Sequence, residues 1–263
     1  GMSTGLCGVG MGGTAISAFT TVPLVNSVGD AAPFVLTAIA LVLYAVVAWL
    51  FMHNAPTWQP SRKNMVAQSL AVMKLTVTWQ ACYLYALSFG GYVAFSVFLP
   101  TMLQNWYGLD AADASFRMAG FVIVAVVMRP LGGTLSDRLG AANTLQLSYV
   151  AVALCAAVLA FQPSLMPIGT VAYIVMAAGL GLGSGAVFAL VAQTSDPSVV
   201  GSVTGFVGAA GGLGGFVPPL VMAAIHAVSG SYSLGIVLLL LATLGAIVVT
   251  LFVARGARAA AVS

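Results

Sequence analysis

The sequence predicts an all-α membrane protein of about eight transmembrane helices, and three observations carry that prediction. Of 263 residues, 61% are hydrophobic and 5% charged, with a mean hydropathy of +1.09, whereas a soluble domain carries roughly a quarter charged residues. Apolar stretches long enough to cross the roughly 30 Å hydrocarbon core recur along the whole chain. Polar and turn-forming residues are confined to the gaps between these stretches.

The first stretch, 4–25, has no basic leading region and already has the length of a span, so it reads as a helix and not as a cleaved leader. Residues 31–52 form the second, behind the turn signals Asn26 to Pro33. A long connection follows. It holds Arg62, Lys63 and Lys74 and reads as a polar linker whose second part lies on the membrane surface. The remaining six candidates are 79–103, 118–135, 144–161, 168–193, 200–227 and 233–254, with short polar gaps between them.

Positively charged loops stay in the cytoplasm. A first span running outward places Arg62, Lys63, Lys74, Arg138, Arg255 and Arg258 inside and leaves Arg117 outside. The expectation is a multi-pass protein of the cell membrane with both termini cytoplasmic.

Composition also excludes functions. The net charge of +3 comes from few groups, with no basic cluster interleaved with aromatics, so nucleic acid is not an expected partner. Cys7, Cys82 and Cys155 fall in separate apolar runs without paired spacing, which argues against a metal site or a disulfide. No cofactor is expected. A membrane-embedded enzyme would need nucleophiles, acids or metal ligands clustered at one depth, and the sequence offers no such cluster. His53 and His226 fall near opposite membrane faces, far from mid-depth, and read as interfacial residues.

Arg129 stands apart as the one charge deep in an apolar run. Such an arginine costs about 2.5 to 3.5 kcal/mol on insertion scales and usually faces a polar cavity. Asp137 and Arg138 close the same helix, which puts Arg129 about 12 Å inside the membrane boundary. A forked, permanently positive donor there calls for an anion. The competing account is a structural arginine paired to a carboxylate, and none of the five acidic residues lies within an apolar span.

Two spans are rich in glycine: GLCGVGMGGTAISAFTTVPLV, Gly5 to Val25, and GFVGAAGGLGGFVPPLV, Gly205 to Val221. Each packs glycines into one half and ends in proline, leucine and valine. They lie six spans apart, which points to a six-helix repeat. Tight helix packing alone accounts for much of the glycine content.

With these residues in view, RPLGGTLSDRLG, Arg129 to Gly140, resembles the Asp–Arg loop of the major facilitator superfamily, in the copy after helix eight. Taken with GAAGGLGGFVPP, Gly208 to Pro219, and YALSFGGYVAFSVFLP, Tyr85 to Pro100, the chain resembles the nitrate/nitrite porters of that superfamily. The resemblance implies a twelve-helix fold of two six-helix halves, of which these spans match helices five to twelve. It divides the chain into 1–54, the last two helices of the N-terminal half; 55–78, a cytoplasmic linker; and 79–263, the C-terminal half. The chain is accordingly expected to be a fragment or a truncated reading frame, lacking the first four helices and carrying half a binding site.

The same resemblance assigns substrate-binding roles. Arg129 matches the arginine of helix eight, Phe89 an aromatic clamp and Tyr85 a tyrosine lining the site. Gly208, Gly211, Gly212, Gly214 and Gly215 match the second nitrate-signature segment. Gly10, Gly12 and Gly13 match the first, where Met11 replaces the asparagine of many members. For Tyr85, donation to the anion and capping of a backbone carbonyl stand as equal alternatives. Asp137 and Arg138 are expected to latch a gate. The implied function is alternating-access transport of nitrate and nitrite, with exchange favoured over proton symport because no acid or histidine lies at mid-span. The implied partners are the small anion and the lipid bilayer. Transport of another small anion, or an inactive gene remnant, is the alternative.

Overall fold

The computed structural model describes residues 13–53 and 70–262. Eight long helices account for nearly all of them: α1 Gly13–Val28, α2 Ala32–Phe51, α3 Thr76–Tyr107, α4 Ala111–Leu139, α5 Ala141–Ala160, α6 Thr170–Thr194, α7 Val200–Ser229 and α8 Ser233–Val262. Each predicted span has its helix. Among the described residues, all but α1 are long and apolar enough to cross a membrane. For α1, the described part is 16 residues, and the expected span starts before it. The linker positions 54–69, with Arg62 and Lys63, lie outside the described residues.

Several helices extend past their apolar windows because backbone hydrogen bonding does not stop where hydropathy does. α4 starts at Ala111, seven residues before the predicted 118, because Asp110 caps it: its Oδ1 accepts the Asp113 N–H at 2.8 Å. The added turn carries the Arg117–Asp113 ion pair, 3.1 Å across one helical turn. α3 starts at Thr76, so residues 76–78, expected in the linker, are helical. Just before it, Val72 is fully buried against the bundle and the Trp79 indole donates to the Met73 carbonyl at 2.8 Å. The end of the linker is thereby tucked into the fold. α3 and α7 both stop at a glycine, Gly108 and Gly230, each with φ of 66°, a left-handed geometry that costs other residues a Cβ clash.

The six helices α3 to α8 pack as one bundle. α6 is the most buried span and contacts α3, α4 and α5, while α3 pairs with α7 and α5 with α8. Two seams run closer than side chains usually permit. Along α4 and α6, a Cβ on Gly181 or Gly185 would strike the carbonyl of Ala125 or Arg129, and one on Gly132 the carbonyl of Leu182. Along α3 and α7, Gly90 and Gly214 meet backbone to backbone. α1 packs on α4 and α2, with the Phe19 ring edge-on to Phe116 at 5.3 Å. α2 buries none of its residues.

α3 passes to α4 and α7 to α8 at the Asp110 face; α4 passes to α5 and α6 to α7 at the Asp137 face.

Candidate anion-binding site

The α4–α6 seam fixes the central residue. Because Gly185 lies against the Arg129 carbonyl, α4 and α6 touch at the level of the guanidinium, and Arg129 is 5% exposed. Leu139, the last residue of α4, lies ten positions further on, or about 15 Å along the axis.

Three helices converge on that guanidinium. Arg129 Nη2 donates to the Tyr85 hydroxyl of α3 at 2.9 Å. Its Cζ lies 5.6 Å from the Phe89 ring centre, 5.7 Å from Phe188 of α6 and 5.8 Å from Tyr85. These are cation–π distances, at which ring quadrupoles replace part of the hydration a buried cation loses. Tyr85 and Phe89, one turn apart, stack at 5.1 Å and 3°, and Phe188 meets Tyr85 edge-on at 4.7 Å.

The ring stack is backed by glycine. A Cβ on Gly211 would enter the Tyr85 ring and press on Phe89, one on Gly214 would strike Ala86, and one on Gly215 would meet Val93. α7 therefore holds the α3 aromatics in place by its lack of side chains.

The structure thus brings Arg129, Tyr85, Phe89, Gly211, Gly214 and Gly215 together. Gly208, Gly212 and Gly13 face open space. Gly10 and Gly12, with Met11 and Cys7, lie outside the described residues. Asp137 and Arg138 sit exposed in the last turn of α4, about 12 Å along the helix from Arg129. The Tyr85 oxygen accepts from Arg129, a contact that neither alternative for its hydroxyl included. Its own hydrogen is left to donate to a further acceptor.

Phe188 and the seam glycines Gly181 and Gly185 are site-building residues that the sequence reading did not single out. The signal was present in GLGLGSG, Gly179 to Gly185, whose four-residue spacing marks a close helix contact.

Chemically, the cluster offers a planar cation, a hydroxyl donor and flanking rings in a setting of low dielectric. Charge-assisted hydrogen bonds are strong there. A small planar oxyanion is the ligand such a set matches.

The family model of the Major Facilitator Superfamily matches residues 1–219 and 114–262. The chain is 43% identical over 256 residues to the "Probable nitrate/nitrite transporter NarK2" of Mycobacterium tuberculosis, covering 97% of this chain and 65% of that protein. It is 32% identical to the "Nitrite extrusion protein" of Bacillus subtilis, over 89% of this chain and 58% of the relative. With the "Probable nitrate transporter NarT" of Staphylococcus haemolyticus the identity is 31%, over 91% and 61%. The chain thus spans a little under two thirds of the length of these relatives. In three dimensions it resembles the crystal structure of the transporter FucP in the outward conformation, with a TM-score of 0.65 at 15% identity over 84% of this chain and 54% of the other.

Proposed function

The chain belongs to the major facilitator superfamily, and from that premise we propose that it supplies the Arg129 half of the substrate site in a nitrate and nitrite transporter working by alternating access. The observation that carries this reading is the buried Arg129 guanidinium, held by the Tyr85 hydroxyl and flanked by Phe89 and Phe188. The relatives' names agree with it.

On this reading residues 79–263 form the C-terminal six-helix half, 1–54 the last two helices of the other half and 55–78 the cytoplasmic connection. The Asp137 face is cytoplasmic, as are both termini. The anion lies between Arg129 and the partner half, taking hydrogen bonds from the guanidinium and from the Tyr85 hydroxyl. Gly211, Gly214 and Gly215 shape the site by letting α7 press the rings forward. Gly208 and Gly212 face the other half, and Gly10, Gly12 and Gly13 contribute from the matching helix. Rocking of the halves opens the site to each side in turn, with Asp137 and Arg138 latching the cytoplasmic end. No acid or histidine of the sequence lies at mid-span, so anion exchange, in which the returning nitrite replaces nitrate on the same cation, suits the cluster better than proton symport.

Binding of nitrate, nitrite, chloride and sulfate to the purified chain in lipid nanodiscs tests the reading. Nitrate and nitrite are expected to bind saturably and to displace each other. Equal or tighter binding of chloride or sulfate would assign the site to a different anion.

A further inference from the structure

A cavity of about 250 Å³ lies between α3, α7 and α8, running along α3 from Ala86 to Met102 towards the Asp110 face, and Arg129 does not line it. Its walls include Leu87, Phe95, Met102, Val217, Met222 and Leu239, and no lining residue carries a hydrogen-bonding side chain. We propose that this cavity holds one acyl chain of a membrane lipid.

The packing explains why the space exists. The glycine seam that draws α7 onto α3 ends at Gly215. Beyond it come the bulkier Val217, Pro218 and Pro219, which line the cavity. α7 and α8 make few contacts with each other, so their walls separate and the space opens between them. Met222 bridges the gap near one end, its side chain filling the place a Cβ on Gly235 would take.

Depth and polarity identify the occupant. The α8 wall runs from Gly235 to Ala242, about 3 to 14 Å below the start of that helix at 1.5 Å per residue. That is most of one leaflet of a core about 30 Å thick. Among the lining residues, Leu238 on α8 and Val217 and Val221 on α7 are 43%, 48% and 40% exposed, so in a membrane protein the mouth of the cavity is bordered by hydrocarbon. Water does not fill an apolar cavity, and a void would forfeit the dispersion contacts of its lining. A neighbouring lipid tail supplies those contacts without burying a polar group. The inference rests on the membrane setting of the superfamily and not on the anion reading.

The test uses the purified chain in phosphatidylcholine nanodiscs doped with phosphatidylcholine bearing a diazirine within one acyl chain. After irradiation, adducts are mapped by peptide mass spectrometry. Adducts at Phe98, Met222 and Leu239 are expected at several-fold higher yield than at Leu147 and Leu154, which are exposed on α5. Plugging the mouth with Leu238→Trp, or filling the interior with Ala94→Phe, should lower the cavity adducts several-fold and leave those on α5 unchanged. Cavity adducts no denser than those on α5 would overturn the proposal, and so would yields undiminished in both variants. The wild-type comparison decides even where a variant does not fold.

Discussion

Arg129 and Tyr85, 44 positions apart in the chain, are joined by a 2.9 Å hydrogen bond in which the guanidinium donates and the phenol oxygen accepts. The bond sets the direction of both groups. It orients the cation and leaves the phenol hydrogen as the donor on offer.

Replacing Arg129 with lysine keeps the charge and removes the planar fork. Charge-assisted hydrogen bonds contribute about 1.5 to 3 kcal/mol each, so nitrate affinity should fall about tenfold or more, at about 1.4 kcal/mol per decade. Affinity and melting temperature measured on the same preparation separate the roles. A lowered melting temperature with affinity intact would make Arg129 structural only.

Tyr85→Phe keeps the stack on Phe89 and deletes one hydroxyl. The loss of a buried partner costs about 1 to 3 kcal/mol, and the anion loses a donor as well. Nitrate binding should weaken by about tenfold, with helix content by circular dichroism unchanged. Affinity equal to the wild type would show that the phenol only braces the arginine.

The glycines of α7 should divide by face. Gly214→Ala drives a methyl into the backbone at Ala86, and overpacking of this kind costs about 1 to 3 kcal/mol. Gly208→Ala and Gly212→Ala enter open space and should leave thermal stability unchanged or raise it, since alanine favours helix by about 0.5 to 1 kcal/mol. Equal destabilisation at all three positions, read as melting temperature, would contradict the packing described here.

The same logic applies where α4 crosses α6. Gly185→Ala pushes against the Arg129 carbonyl and so displaces the guanidinium's own backbone. Both stability and nitrate affinity should fall together, whereas Gly201→Ala, in open space, should leave affinity unchanged and stability unchanged or higher.

Orientation is tested by single cysteines in a chain whose Cys7, Cys82 and Cys155 are replaced. Cysteine at Asp113 should react with an impermeant maleimide only from outside the cell, and cysteine at Arg138 only after permeabilisation. Labelling of both from one side would break the proposed topology.

Hydropathy alone determined the number and order of the helices, because lipid demands an unbroken apolar run for each crossing and tolerates polar residues only at the ends. It placed the helix ends poorly wherever a capping group or an ion pair carried the helix on, as Asp110 and Arg117 do for α4. The isolation of Arg129 in an apolar run was enough to single it out, since a buried charge must be answered by something. Which groups answer it was decided by the tertiary structure, through contacts between α3, α4 and α6 that no local pattern encodes. Phe188 is one aromatic among many until Gly185 seats α6 against the arginine's carbonyl. The segment Gly208 to Gly215 reads as a single motif in one dimension. At 3.6 residues per turn Gly208 and Gly215 lie on nearly the same side of α7, two turns apart, yet Gly215 meets Val93 while Gly208 and Gly212 are open and Gly211 and Gly214 press on α3, and only packing could tell them apart.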